Sequence, residues 1–407
     1  MDLSEEQRRI VDSTDRHVLV VAGAGCGKTT TLVHYIMKRA VDPEAPKTVV
    51  LTFSNKAARD VREKIGEIAP ELFDRLYVGT IHSFCLDMFR RYGHLVGMNP
   101  DSMVFESFED RIELFSRALV GDLSEADRIR GLSNRERRSY IERRFSEMSS
   151  RKRTLDFSVY DDPVIGEYND MLRSMDAMDY DDIIIYGFRI ISECPKVAEI
   201  YQVYYGCVCV DEAQDLNPSQ YAFVKALASD AMDTFLVGDP NQAIYGFAGA
   251  SSDFMCVDYP RDFDVRRFEL RDNYRSSRAV MEAARTLEPE YRPEGRVPVE
   301  GEFTVTCYDD DDLEAEGIAE AIHVLLADGH PDVSAPTPEG IAVISRRRAI
   351  LEKVADHLAE KSIRCVIRSA GVGPSFDSDL MNAIWLSLRV NTNPKDSFHR
   401  SRLDEVM

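Results

Sequence analysis

The chain has 407 residues, 44% of them apolar, without long low-complexity tracts, which suits about two or three domains that each bury a core. No apolar run approaches the roughly 18 residues of a membrane span, and Met1-Asp2-Leu3-Ser4-Glu5-Glu6 is no secretory leader, so a cytoplasmic protein with no membrane partner is expected. The net charge of −21 repels nucleic acid on average, yet binding depends on local patches, so it weakens that function class without excluding it. Several of the eight cysteines (Cys207, Cys209, Cys307, Cys365) lie inside apolar runs, where a reduced thiol packs as a small hydrophobe. Cys207-x-Cys209 has no second pair at zinc spacing, and no metal cage is expected there.

Leu3 to Val11 reads as a short helix carrying Gln7. An amide there can read the edge of a purine, but its neighbours favour a plain exposed polar residue. The apolar run Val18 to Val21 then meets Ala22-Gly23-Ala24-Gly25-Cys26-Gly27-Lys28-Thr29-Thr30, followed by helical spacing at Leu32, Ile36 and Met37. This is a strand, phosphate loop and helix. Small residues let successive backbone N–H groups curl around a phosphate at the positive end of a helix. Lys28 is placed to reach the β- and γ-phosphates of ATP, and the Thr29 hydroxyl to hold Mg²⁺. The strict motif begins with glycine, whereas this one begins with Ala22.

A second strand, Thr48 to Phe53, runs into Ser54-Asn55-Lys56, and a third, Leu76 to Thr80, into Ile81-His82-Ser83-Phe84. Strands alternating with helices predict an α/β, doubly wound parallel sheet with ligands at the carboxyl ends of its strands. Phe53, Asn55, Thr80, His82 and Phe84 mix aromatic and hydrogen-bonding groups on that rim, where a shared binding edge and plain core or capping roles are both open.

From about 87 to 200 the pattern turns helical and reads as an insertion. Between Arg135 and Arg153 it holds eight basic against three acidic residues. That reversal fits a phosphate-tracking surface, but equally a solvated helix face with pairs such as Arg138 and Glu142. The sheet resumes at Gly206 to Val210 and ends in Asp211-Glu212-Ala213-Gln214-Asp215. Adjacent carboxylates at the tip of an apolar strand are costly unless a cation or a reacting group needs them. Asp211 suits Mg²⁺ and Glu212 suits deprotonating an attacking water. The strand Thr234 to Val237 leads to Gln242, placed to sense the γ-phosphate, and to Tyr245 and Phe247, which can stack on bases. Phe268 to Leu270 precedes Tyr274 and Arg275, suited to an adenine face and a terminal phosphate.

Taken together, Gln7, AGAGCGKT, LTFSNKAA, GTIHSFC, VDEAQD, VGDPNQAIYGFAGA and LRDNYRS resemble the UvrD/Rep-like superfamily 1 DNA helicases, as does Asp179-Tyr180-Asp181-Asp182. The likeness is specific to about residue 280 and weaker through Gly340 to Arg346. It implies two P-loop NTPase (RecA-like) domains that close on ATP and Mg²⁺ and move along single-stranded DNA, usually 3′ to 5′. By the same resemblance Gln7 recognises adenine and Tyr274 stacks on it. The loop from Ala22 to Thr30 binds ATP, Lys28 holding phosphate and Thr29 and Asp211 the metal, while Glu212 is the catalytic base. Gln242 couples hydrolysis to DNA, Arg275 acts on the γ-phosphate, and Phe53, Asn55, Thr80, His82, Tyr245 and Phe247 line the DNA path.

Three departures stand out. Ala248 replaces an arginine usual after the aromatic residue, Thr30 replaces one often beside adenine, and the last two family motifs do not occur before Met407. The implied division is a first motor domain over 1–86 and 201–280, a helical insertion over 87–200 and a partial second RecA-like domain over 281–407. Strands are expected at 303–308, 341–345 and 364–368, with helices over 313–326, 349–361 and 376–390. Either this is a DNA-stimulated ATPase motor, or it is a nucleotide-dependent DNA-binding module with little hydrolysis, completed by a missing region or a further polypeptide.

Overall fold

The computed structural model describes residues 3–40, 44–228, 232–288, 294–333, 335–367 and 378–406. Six strands form one wholly parallel sheet in the order Leu76–Thr80, Lys47–Thr52, Tyr205–Val210, Asp233–Gly238, His17–Ala22, Val265–Leu270. After its first strand the chain passes over two positions to lay down the second, and fills the gap later with the strands at 205 and 233. The loops that follow these central strands therefore open together at one carboxyl edge, where doubly wound sheets bind ligands.

The pleat sends alternate residues to opposite faces, and both faces are covered. Val18, Val20, Val50, Cys207, Cys209, Phe235 and Val237 pack with Leu32 and Ile36 of the Lys28–Ala40 helix. Leu19, Val49, Leu51, Val208, Val210 and Leu236 pack with Phe84 of Ile81–Tyr92, Ile184 of Asp182–Glu193 and Phe223 of Pro218–Ala228. This burial on both sides explains why the strands read as continuous apolar runs.

The insertion is helical, as its periodicity predicts, with Phe108–Gly121, Leu123–Ile129, Asn134–Arg153 and Pro163–Ser174 around their own core of Phe115, Phe145 and Tyr168. It also contains a short parallel strand pair, Met103–Phe105 with Ala177–Asp179, too brief to show as an alternating pattern.

The chain forms two compact units, Met1–Arg271 with Gly373–Met407, and Asp272–Val372. This differs from the division read from the sequence, which kept 281–407 together. The helices Asp379–Thr392 and Ser397–Val406 belong to the first unit because Phe398 and His399 are buried against Phe105 and Asp110 of the insertion. In the second unit, Asp311–Asp328 and Arg348–Glu360 are helical and bury Ala315, Ala319, Ile322, Val354 and Leu358. The strands expected at 303–308, 341–345 and 364–367 are not formed among the described residues, and 368 lies outside them. Ile341, Val343 and Ile363 do pack on the two helices, whereas Val305, Ile344 and Val366 stay exposed. Alternating apolar residues give a segment one buried face, but a strand also needs a hydrogen-bonded neighbour.

Candidate functional site

The buried strand His17–Ala22 delivers the chain into the 23–27 loop, and Lys28 opens the following helix. Gly25 and Gly27 have φ of 73° and 80°, the left-handed region that side chains other than glycine enter at a cost. At Gly27 there is a second reason for glycine, since a Cβ there would lie 2.6 Å from Gln7 Nε2. Gln7 is thus not an exposed polar residue. It is 6% exposed, lies over the phosphate loop and completes a capping box with Ser4. The contact joins residues twenty positions apart, which local spacing does not reveal.

Asp211 extends the strand Tyr205–Val210 by donating its N–H to Leu51 O at 2.9 Å. Its carboxyl is buried, and burial first, then the neighbouring Glu212, raises its pKa to about 7. Glu212 stands in the left-handed region at φ 52°, which turns its carboxylate toward the loop, with Lys28 Nζ 3.9 Å from Glu212 Oε2. Gln214 Nε2 donates to Glu212 Oε2 at 2.9 Å, and Gln214 Oε1 accepts the Asp239 N–H at 3.0 Å. Asp239 Oδ2 in turn accepts from Gln242 Nε2 at 2.6 Å. A chain of polar contacts therefore runs from Glu212 to Gln242 through Gln214 and Asp239, two residues without a role in the sequence reading. Gly238 makes room for it, because a Cβ there would lie 2.5 Å from Gln214 Oε1. Asp215 also belongs to the site. Burial and Glu212 raise its pKa to about 6, and its Oδ1 is buried without a hydrogen-bond partner.

Among the described residues no three His, Cys, Asp or Glu side chains form a metal cluster on their own. The Thr29 hydroxyl and the Asp211 carboxylate are hard oxygen donors, the set Mg²⁺ takes together with phosphate oxygens and water. A buried carboxylate this reluctant to ionise fits a site that a cation completes.

Beside this pocket the loop tips carry aromatic rings. Phe53 lies against Tyr245 with ring centroids 4.6 Å apart, and Phe247 follows at 6.0 Å from Tyr245 and 87% exposed. Asn55 is exposed at the start of the Asn55–Ile68 helix. His82 stacks on Tyr180 at 4.4 Å, and burial lowers its pKa to about 4, against the pull of Asp181, so the ring is neutral at physiological pH. Thr80 is buried and its hydroxyl accepts the Ser83 N–H, so it caps the Ile81–Tyr92 helix, one of the two roles the sequence left open.

Tyr274 and Arg275 lie in the second unit and are exposed. There the Tyr274 hydroxyl donates to Asp272 Oδ2 at 3.1 Å, and the Arg275 N–H donates to Asn273 Oδ1 at 2.9 Å. The first unit brings together Gln7, the 22–30 loop, Asp211, Glu212 and Gln242.

Residues 3–261 match the model of the UvrD/REP helicase N-terminal domain. The chain belongs to the UvrD/Rep helicase family. It is 28% identical, over an alignment of 430 residues, to the ATP-dependent DNA helicase PcrA of Bacillus subtilis (strain 168), covering 99% of this chain and 55% of that protein. It is 28% identical to PcrA of Staphylococcus aureus (strain Mu50 / ATCC 700699), over 72% of this chain and 41% of that one. With the ATP-dependent DNA helicase UvrD1 of Mycobacterium bovis the identity is 30%, over 70% of this chain and 39% of the relative. The chain thus spans about half the length of the curated relatives it matches.

Within this UvrD/Rep chain the basic run at 135–153 turns out to be largely neutralised. Arg138 pairs with Glu109 and Glu142, Arg144 with Asp162, and Arg151 with Asp156. Lys152 is fully buried, 3.2 Å from Asp179 and 2.8 Å from Asp182. Arg111 holds Asp179 and Asp181 at 2.5 and 2.6 Å, and Arg153 meets Asp181 at 3.1 Å. The acidic segment at 179–182 is therefore the counter-charge of three cations from two helices, and Tyr168 and Tyr160 donate hydroxyls into the same network. Breaking one member of such a buried set leaves an uncompensated charge, at a cost of roughly 3–5 kcal/mol.

Proposed function

We propose that this chain is the ATP-binding part of a DNA helicase or translocase that couples hydrolysis to movement on single-stranded DNA, 3′ to 5′. The observation that carries this reading is the 3.9 Å approach of Lys28 to Glu212 across a phosphate loop that Asp211 flanks, with the Phe53–Tyr245–Phe247 rim alongside.

In this reading the loop's N–H groups from Gly23 to Thr29 cradle the β-phosphate, and Lys28 neutralises charge between the β- and γ-phosphates. Gln7 hydrogen-bonds the adenine edge. Thr29 and Asp211 hold Mg²⁺, which when bound draws charge from the phosphate oxygens. Glu212 Oε orients the attacking water and takes its proton as the bond to phosphorus forms. Gln214 and Asp239 pass that event from Glu212 to Gln242, which lies three residues before Tyr245 on the segment that carries the aromatic rim. Bases stack on Phe53, Tyr245 and Phe247 with little sequence preference. The reading leaves room for a further polypeptide region to complete the motor.

The test is ATP turnover with and without single-stranded DNA, alongside equilibrium binding of a fluorescent ATP analogue. Glu212→Gln should lower turnover by roughly 10²–10⁴-fold while the analogue still binds. Lys28→Ala should weaken analogue binding by roughly 10–100-fold, as expected for loss of a charge-assisted contact. Full turnover in Glu212→Gln, or undiminished binding in Lys28→Ala, would reject the assigned pocket.

A further inference from the structure

Just past the aromatic rim the chain enters a helix of unusual register. Phe254–Asp258 forms a π-turn, in which the Tyr259 N–H donates to the Phe254 carbonyl five positions back, and the α-helical turn Tyr259–Asp262 follows. Pro260 accounts for the change, because it has no N–H to offer and its ring would crowd the Cys256 carbonyl in a regular helix. A π-turn holds one residue more than an α-turn, and the surplus here bulges outward at Val257, which is 57% exposed. One residue is about 100° of helix, so the bulge decides which side chain the segment before it turns inward. Such turns are rare and tend to sit at functional sites.

The side chain turned inward is Met255. It is fully buried in one cluster with Ala213 and Leu216, the residues that flank Gln214 and Asp215. The 213–215 turn packs on the π-turn itself. Gly238 locates the contact, since a Cβ there would lie 2.5 Å from Gln214 Oε1 and 2.7 Å from Met255 Sδ. The amide oxygen and the thioether sulfur thus share the space that the absent side chain leaves. Gln214 needs such a neighbour. Its Nε2 donates to Glu212 and its Oε1 accepts from Asp239, and both bonds hold only while the amide stays on the line between them. In a close-packed interior, whatever fills the space beside a side chain decides whether it can swing away. Methionine suits that duty because it moulds itself to an irregular gap. The segment is itself anchored: the Ser251 N–H donates to Leu216 O at 3.1 Å, and Phe254 stacks on Tyr221 with ring centroids 5.4 Å apart.

We propose that Met255, set in place by the π-turn, is a positioning residue for ATP hydrolysis: it keeps the Gln214 amide on the line between Glu212 and Asp239. The proposal rests on the reading of Glu212 as the base that orients the attacking water. It adds a residue whose route to the reaction runs through that amide alone. A buried methionine that merely fills the core would lower stability, and its loss would add to that of any other residue. A positioning methionine has nothing left to position once Gln214 is gone.

The experiment is ATP turnover of the full chain at saturating ATP with an oligothymidylate present, alongside equilibrium binding of a fluorescent ATP analogue. Met255→Ala should lower kcat by roughly 10–100-fold, the scale of a misplaced catalytic group, and leave analogue affinity unchanged. Met255→Leu, which refills the space, should restore most of the rate. In a Gln214→Leu background, Met255→Ala should bring no further loss, because the two act as one unit. Deleting Val257, which returns the π-turn to an α-turn and swings Met255 away by about 100°, should reproduce the loss seen in Met255→Ala. Should that deletion abolish analogue binding and so have disrupted the fold, the methionine variants decide alone. An unchanged kcat in Met255→Ala, or a loss that adds in full to that of Gln214→Leu, overturns the proposal while the pocket stands. If the parent does not hydrolyse ATP, or Gln214→Leu keeps full turnover, the reading of Glu212 and its amide partner is wrong, and the role of Met255 falls with it.

Discussion

At Gly27 two demands meet in one residue. Its φ of 80° admits an L side chain only with strain of roughly 1–2 kcal/mol, and a Cβ would collide with Gln7 Nε2. Gly27→Ala should therefore both lower thermal stability by at least that amount and displace the glutamine from the loop. A melting curve paired with titration of ATP and GTP analogues separates the effects, since a shifted Gln7 costs preference for adenine. If stability falls and base preference holds, the amide does not read the base. Gln214 gives the second case. Gln214→Leu keeps the volume but leaves the Asp239 N–H without its acceptor and Glu212 without its donor. Turnover should drop more than nucleotide affinity does, because Glu212 loses its orientation while Lys28 and the loop keep theirs. Equal losses in both would mean that Gln214 only holds the fold.

The elements divide by how local their causes are. The phosphate loop, the Asp211-Glu212 tip and the six strands were legible because a buried strand, a run of small residues and a helical repeat each declare themselves within a dozen positions. The Thr80 cap on Ser83 and the Arg138–Glu142 pair are also local, and the sequence left both open. Burial of Gln7 beside Gly27 and the pairing of Arg111, Lys152 and Arg153 with Asp179, Asp181 and Asp182 were not legible, since each depends on a partner that the fold delivers from elsewhere. The last helix, Ser397–Val406, is such a case. His399 is fully buried between Asp396 Oδ2 at 2.6 Å and Asp110 Oδ2 at 3.2 Å, with Arg402 on Asp110 and Arg389 nearby. Burial alone disfavours the charged ring, but the two carboxylates outweigh it and raise the pKa above its ordinary 6.5. The imidazolium thus stabilises the docked helix fully below that ordinary value, and the contribution is lost as pH rises through the folded value. Asp110 is held below its ordinary value despite burial, chiefly by His399, so its share is lost on acidification. Docking should be tightest in the mildly acidic window between the two. Hydrogen exchange of 397–406, corrected for intrinsic rate, should speed up from pH 6 to pH 9, and His399→Gln should remove most of that dependence. An unchanged dependence in the variant would place its origin elsewhere.

For the molecule as a whole, the helices at its C-terminal end pack with residues more than two hundred positions earlier. Phe398 is buried on Phe105, Asn393 Nδ2 donates to Met175 O at 2.6 Å, and Lys395 pairs with Asp176 at 2.7 Å. Composition gives no sign of this, and helical periodicity near 376–390 says only that a helix exists. The second unit has its own small core, Ala315, Ala319, Ile322, Val354 and Leu358. Removing residues 378–407 should therefore destabilise the first unit and spare the second. Phe398 alone, a buried aromatic, is worth roughly 3–5 kcal/mol when truncated to alanine. Calorimetry of the parent should resolve two transitions, of which the deletion lowers the one that ATP analogues raise. The transition insensitive to nucleotide should not move. If the deletion instead lowered the nucleotide-insensitive transition, the terminal helices would belong energetically to residues 272–372, as the continuous reading of 281–407 supposed.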